Sequence, residues 1–499
     1  MDQSQIQSVV EEVVSRMLGN GGGAAPAAKT DGFESIKRPD TNDARAAVTV
    51  DHQPATPSPE LGVFSSVNDA AKAAEKAFLA YKELKMDHRD KIVAAIRRTG
   101  HAFKKKWAPD TVKETGMGRT EHKVMKFNAV CDGTRGTEDL STYAKTGDYG
   151  LMIEEMAPYG VVCAVTPSTH PVPTLINNSI SLLAAGNSVV FAPHPAGKRV
   201  FAEALATMNR EIIAAGGPPN LMTCLIEPTI DTTNEMFAHP LTRLLLVTGG
   251  PGVVKAALAM PKKAITAGPG NPPVVVDETA DLKRAAKSII DGGGFDNNIL
   301  CIGEKEVFCV ASVFDALMKE MEQQGCVRLS ERESTALAEK AFEKKGEHYI
   351  VNRQFVGRNA SVLAEAIGMR GVGDNVPLLF GEVNGAENIW VQEEQMMPFI
   401  PFVRVPNVDT AIELAIQAEH GYRHTACMHS TNLHNLSRMA RLCDCSIFVK
   451  NGPSVAGLAV GGEGYISYSI ASPTGEGITT AKTFTRKRRC TLVDAFRII

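Results

Sequence analysis

Hydrophobic positions along this chain change period several times, and each change marks a different kind of element. In residues 1–18, Ile6, Val9, Val10, Val13, Val14, Met17 and Leu18 recur at i, i+3, i+4 and i+7, with Gln7, Glu11, Glu12, Ser15 and Arg16 away from them. That spacing places one apolar stripe on an amphipathic helix. Gly19 stops the helix, and Gly21-Gly22-Gly23-Ala24-Ala25-Pro26-Ala27-Ala28 opens a flexible linker that stays polar to about residue 60. A helix this short is marginal alone, so the stripe needs a surface to bind. The long tether favours a separate protein over the chain's own body as that surface.

Residues 64–123 read as amphipathic helix, notably 67–84 and 89–107. Residues 143–156 predict a hairpin turning at Thr146-Gly147-Asp148-Tyr149-Gly150. Strands at 161–166, 188–191, 221–225 and 244–247 then alternate with helices at 175–185, 198–215, 232–238 and 252–260. This alternation predicts an α/β fold with a parallel sheet covered by helices on both faces. Such sheets bind ligands at the carboxyl ends of their strands, where Thr166-Pro167-Ser168, Ala192-Pro193-His194 and Thr248-Gly249-Gly250-Pro251 fall. A second α/β series starts near Gly268, with strands at 274–276, 307–310, 399–405 and 446–449. The tail carries Leu492, Val493, Phe496, Ile498 and Ile499, apolar ends of the kind that join subunits.

The chain has 499 residues, enough for about two to four domains. A net charge of -3 gives no basic footprint for nucleic acid and no electrostatic pull to a membrane. No run of about 18 apolar residues suggests a transmembrane helix, and the N-terminus lacks the continuous apolar core of a secretory signal. The 10 cysteines are scattered without a C-x-x-C pair or zinc spacing. They read as reduced thiols of a cytoplasmic protein, without disulfides. The His-rich stretch at 419–424 puts no carboxylate and histidine set on one helical face, so a structural loop is expected there and no metal.

No G-x-G-x-x-G follows any strand. Leu246-Val247-Thr248-Gly249-Gly250-Pro251-Gly252 instead leads from strand to helix, where glycines admit a phosphate and the helix N-terminus favours its charge. Most Gly-Gly turns are only turns. Cys301 follows a loop rich in Gly and Asn at 291–298; by composition alone a buried structural thiol is the commoner reading of such a residue.

Several ordered segments together change that balance. Ala157-Pro158-Tyr159-Gly160-Val161-Val162, Val165-Thr166-Pro167-Ser168-Thr169-His170-Pro171, Thr248-Gly249-Gly250-Pro251, Asn297 to Cys301, and Glu393-Glu394-Gln395-Met396-Met397-Pro398 lie in order along the chain. Through them, residues from about 60 to 499 resemble the aldehyde dehydrogenase superfamily, and within it the CoA-acylating branch found with bacterial microcompartments that degrade propanediol or ethanolamine.

The resemblance implies an NAD-binding domain from 61–142 and 158–266, a catalytic domain at 267–480, and oligomerisation elements at 143–157 and 481–499. It implies Cys301 as nucleophile and Thr169, or His170 beside it, as an oxyanion donor. Thr166, Pro167, Ser168, Pro193, His194, Gly249, Gly250, Pro251 and Glu394 would surround NAD, with Glu394 at a ribose. The partners implied are an aldehyde, propionaldehyde before acetaldehyde, and CoA. A homodimer or homotetramer is implied too, with shell or cargo proteins of a microcompartment docking on residues 1–18.

Three departures from the family pattern stand out. Aligned on the closing Asn271-Pro272, Thr266 occupies the place of the glutamate that activates water in hydrolytic members. A threonine hydroxyl has no useful basicity near neutral pH, whereas a thiol is already a few per cent thiolate. Thiolysis is therefore expected over hydrolysis. Thr169 replaces an asparagine at the oxyanion, and Ala192 replaces the lysine that binds the adenosine ribose. The competing readings are a hydrolytic dehydrogenase releasing free acid, which needs no CoA, and a cargo or scaffold protein whose first helix is its main business.

Overall fold

The computed structural model describes residues 57–346 and 348–499. The helix expected at 1–18, and the linker up to residue 56, lie outside the described residues.

Six parallel strands form the first sheet, in the order Val63–Phe64, Met222–Leu225, Ser188–Pro193, Val161–Thr166, Thr242–Thr248, Lys263–Ala267. The strands Val161–Thr166 and Ser188–Pro193 are buried along their whole length, which explains their continuous apolar runs without alternation. The helices Pro171–Ala184 and Lys198–Ala214 pack on this sheet, joined by the 30-residue helix Met86–Thr115. Pro171 at the first turn starts its helix four residues ahead of the apolar periodicity, because proline's fixed φ suits that position. The short edge strand Val63–Phe64 and the half-polar Lys263–Ala267 carry too little pattern to have been foreseen.

From Val161–Thr166 the chain steps outward through the two strands on one side, then crosses to Thr242–Thr248 on the other. The strand order thus reverses beside Val161–Thr166, and a crevice opens at the carboxyl ends there.

The second sheet has seven parallel strands: Val327–Arg328, Leu379–Glu382, Phe399–Val405, Glu306–Val310, Pro273–Val276, Thr425–His429 and Ile447–Lys450. Phe308, Phe399, Val403 and Met428 are buried in its core; burying a side chain of this kind contributes about 1.5–3 kcal/mol.

The predicted hairpin forms from Tyr143–Gly147 and Gly150–Pro158, and the tail strand Thr485–Val493 pairs with it antiparallel. Arg489 and Lys487 bond Glu154 at 3.1 and 3.4 Å across this pairing. Tyr143, Tyr149, Leu492, Val493 and Phe496 remain exposed.

Candidate active site

Cys301 ends a segment that starts as the helix Leu282–Gly293 and breaks at Gly294 into the turn Phe295–Asn298. Asp296, Asn297 and Asn298 hold φ of 51°, 57° and 61°. Asp and Asn are the side chains that tolerate this left-handed region best. A buried network fixes the turn. Asp296 accepts the Arg119 N–H at 2.8 Å and the ammonium groups of Lys123, also at 2.8 Å, and Lys126. Arg119 Nε donates to Asn297 Oδ1 at 2.7 Å. Lys305 Nζ donates to the Asn298 carbonyl at 2.7 Å. Burial works to raise the Asp296 carboxyl, but Lys123 and Lys126 more than reverse this and hold it far below the usual carboxylate range.

Lys123 Nζ also donates to the Thr169 carbonyl at 2.7 Å. One buried cation therefore ties the loop after Val161–Thr166 to the loop before Cys301, two segments far apart in sequence. Thr169 and His170 are buried. Burial, then Lys126 and Lys123, press the His170 imidazole down, so it stays neutral.

Register brings the predicted cofactor residues together. Thr166 lies opposite Pro193 on the neighbouring strand, and Val165 opposite Val247, one residue before Thr248. Thr166 Oγ1 is buried without a partner among the described residues, as is Thr266 Oγ1. Gly250 caps the helix Pro251–Leu258, and a side chain added there would meet nothing within 4 Å. This open turn at a helix N-terminus fits a dinucleotide pyrophosphate. Pro167, Ser168 and Gly249 are half-buried along the same crevice. His194 is exposed, its Nδ1 accepting the Ala196 N–H at 3.1 Å.

Glu394 comes closer to the chemistry than a distant ribose ligand would. Its carboxyl interacts electrostatically with both Cys301 and Lys305. Burial lifts its carboxyl to about 7, against Lys305 and the Gly270 N–H. Burial also pushes the Cys301 thiol up to about 12; Glu394 adds to the rise, while Lys305 and Lys126 oppose it. A thiol held protonated in this way must lose its proton before the sulfur can attack. At Thr266 itself the N–H donates to the Thr474 hydroxyl at 3.1 Å.

Gly270 is glycine for a reason: a Cβ there would stand 2.5 Å from the Cys301 carbonyl oxygen and 3.0 Å from His424 Cγ. His424 is the residue that sequence reasoning missed. It is buried, bonded through Nδ1 to Thr425 Oγ1 at 2.9 Å, with Nε2 lacking a partner among the described residues. Burial, with Lys305, lowers its imidazole to about 4. Nothing in the run 419–424 marks His424 apart from His420; burial against Gly270 does.

Over Leu300 lies a cavity of about 20 Å³, lined by Lys126, Phe295, Val455, Val460 and Tyr468 among others. About 10–15 Å³ on this measure holds one water, so the space suits a small apolar group.

The profile of the aldehyde dehydrogenase family matches residues 59–466. The acetylating acetaldehyde dehydrogenase EutE of Salmonella typhimurium is 50% identical over 451 residues, 90% of this chain and 96% of that protein. The crystal structure of a propionaldehyde dehydrogenase of Rhodopseudomonas palustris with bound propionyl-CoA is 44% identical. It covers 87% of this chain and 96% of its own, with a TM-score of 0.85. The propionaldehyde dehydrogenase of the Clostridium phytofermentans fucose utilisation bacterial microcompartment is 43% identical, covers 88% of this chain and 100% of its own, and has a TM-score of 0.85. A cysteine on a strained, cation-held turn, a crevice at the strand reversal and this agreement along the chain lead to one conclusion: the protein belongs to the aldehyde dehydrogenase family.

Proposed function

We propose that the protein oxidises a two- or three-carbon aldehyde to its acyl-CoA through a thioester on Cys301. The observation that carries this is Cys301 directly after Leu300, which lines a small apolar cavity of about 20 Å³, while a threonine stands at position 266 in place of a base. A space this small and apolar favours a short aldehyde over a long one. The relatives named for acetaldehyde and for propionaldehyde bracket the same range.

Cys301 attacks the carbonyl carbon as its proton passes to Glu394. The Cys301 N–H and Thr169 hold the oxyanion, an effect worth about 3 kcal/mol per donor. A nicotinamide dinucleotide, when bound, supplies the hydride acceptor. Gly249, Gly250 and Pro251 would hold its pyrophosphate, with Thr166, Pro167, Ser168, Pro193 and His194 along the rest. Glu394 fits both of its roles, since a nicotinamide ribose must lie next to the sulfur. CoA then takes the acyl group by thiol exchange. His424, neutral and with Nε2 available, serves as a proton acceptor for that step.

Residues 1–18 are read as a targeting helix for a microcompartment, and the three-stranded sheet with the tail as the element joining subunits. Removing residues 1–18 should leave turnover intact and abolish co-purification with shell proteins; continued co-purification refutes the targeting role.

The test of the activity is NADH formation from propanal and from acetaldehyde, with and without CoA. Formation at full rate without CoA would establish the hydrolytic reading instead. Cys301→Ala should abolish NADH formation and leave dinucleotide binding within about 2-fold, because the sulfur alone is exchanged for a methyl hydrogen. Retained turnover would remove Cys301 from its role.

A further inference from the structure

Lys126 belongs to the helix Thr120–Gly133, yet its side chain is only 1% exposed. It lines the small cavity with Phe295 and Leu300, the residue before the nucleophile. Its ammonium donates to Asp296 Oδ2 and stands 5.9 Å from the centre of the Phe295 ring. Asp296 is shared: Lys123 Nζ holds the same oxygen at 2.8 Å. Two buried ammonium groups therefore face one carboxylate, and one unit of positive charge is left over.

The groups packed around do not cancel it. His122 accepts the Asp296 N–H through Nδ1 at 2.8 Å, so that nitrogen carries no proton. His170 is kept neutral by burial and by the lysines themselves. Burial keeps the Tyr468 phenol protonated. Arg119 adds positive charge and is held by Asn297, Asp374 and Val376. Lys305 and Glu394 oppose one another electrostatically. An uncompensated buried charge is costly. It is tolerated where an anion forms during the reaction.

We propose that Lys126 is a catalytic residue of the aldehyde cavity, its ammonium supplying the charge against which the Cys301 thiolate and the oxyanion of the adduct form. In the addition step the thiol proton goes to Glu394. The sulfur–carbon bond then forms, and the carbonyl π pair moves onto oxygen as an alkoxide facing Lys126. Asp296 has a second use here. A neutral amine in this cavity would condense with the aldehyde to an imine and water, and pairing with Asp296 favours the protonated, unreactive form.

The inference rests on Cys301 being the nucleophile, so Cys301→Ala is assayed beside it. The test compares Lys126→Met and Lys126→Arg in the full chain by iodoacetamide alkylation of Cys301 against pH, read by peptide mass, and by turnover of propanal. Lys126→Met should move the alkylation midpoint up by about one unit or more and lower kcat about 100-fold. Its KM for the dinucleotide should stay within about 2-fold, and Lys126→Arg should recover most of the loss. Should Lys126→Met not melt cooperatively, Lys126→Gln carries the same comparison. An unchanged alkylation profile with kcat within about 3-fold of wild type overturns the proposal. So does a Lys126→Arg variant as impaired as Lys126→Met, which would mean that shape and not charge matters. Turnover surviving in Cys301→Ala would instead overturn the nucleophile assignment.

Discussion

Replacing Asp296 by Asn isolates the charge that holds the nucleophile turn. Asn has the same shape and tolerates the φ of 51° found at this position. It keeps an oxygen to accept the Arg119 N–H, so the turn's geometry is conserved. What disappears is the negative charge facing Lys123 and Lys126, both buried. Breaking a buried pair by removing one partner costs about 3–5 kcal/mol. Melting entropy of about 2.1 cal/mol/K per residue, over roughly 440 described residues, makes that a fall of about 3–5 °C in apparent Tm at pH 7.

The sign of the pH dependence follows from the lysines. Burial already lowers Lys126 to about 8, and without Asp296 its ammonium group is depressed further. Between such a folded value and the unfolded value of about 10.4, the unfolded chain binds more protons, so stability rises with pH. The deficit of Asp296→Asn should therefore be full at pH 7 and shrink by pH 10. Paired thermal melts at the two pH values read this directly. A variant that melts within about 1 °C of wild type at pH 7, or loses the same amount at both pH values, would show that the turn does not depend on this charge.

Three further outcomes are expected. Glu394 must be ionised to take a proton and its carboxyl lies at about 7, so the kcat/KM profile should climb through neutral pH; Glu394→Gln should flatten that limb and cost about 10²–10⁴-fold, and an unaltered limb would assign it elsewhere. Val460→Ala widens the aldehyde cavity and should shift kcat/KM toward butanal over acetaldehyde by about 10-fold, measured by NADH formation across an aldehyde series; an unchanged ratio would place the substrate elsewhere. Gly250→Ala puts a methyl group where the protein has no atom within 4 Å, so Tm should hold while KM for the dinucleotide rises about 10-fold; an unchanged KM would move the pyrophosphate away from this turn.

Much was legible from order along the chain. The βα alternation predicted the first sheet, because strands buried on both faces and helices buried on one leave different periods in the sequence. The hairpin at Tyr143–Gly147 and Gly150–Pro158 was legible for the same local reason, while Cys301 stood out only through the ordered set of family motifs and not through its neighbours alone. Strands such as Leu379–Glu382 and Thr425–His429 were missed, since runs this short, interrupted by Gly381 and Glu382 or bounded by Thr425 and His429, show no period.

What the folded chain alone decides is proximity. Lys123, Thr169 and Asp296 meet at one ammonium group, although up to 173 residues separate the partners. Glu394 was expected at the cofactor; folding also brings it within electrostatic reach of Cys301 and Lys305. His424 looked like loop material until burial removed its solvent, and Lys126 lies beyond the helical stretch read at 64–123, with nothing in the sequence to mark it. Local pattern reports which face of an element avoids water. The charge on a side chain, and what it can do, depend on which distant groups share its dry surroundings, and that is settled when the sheets assemble.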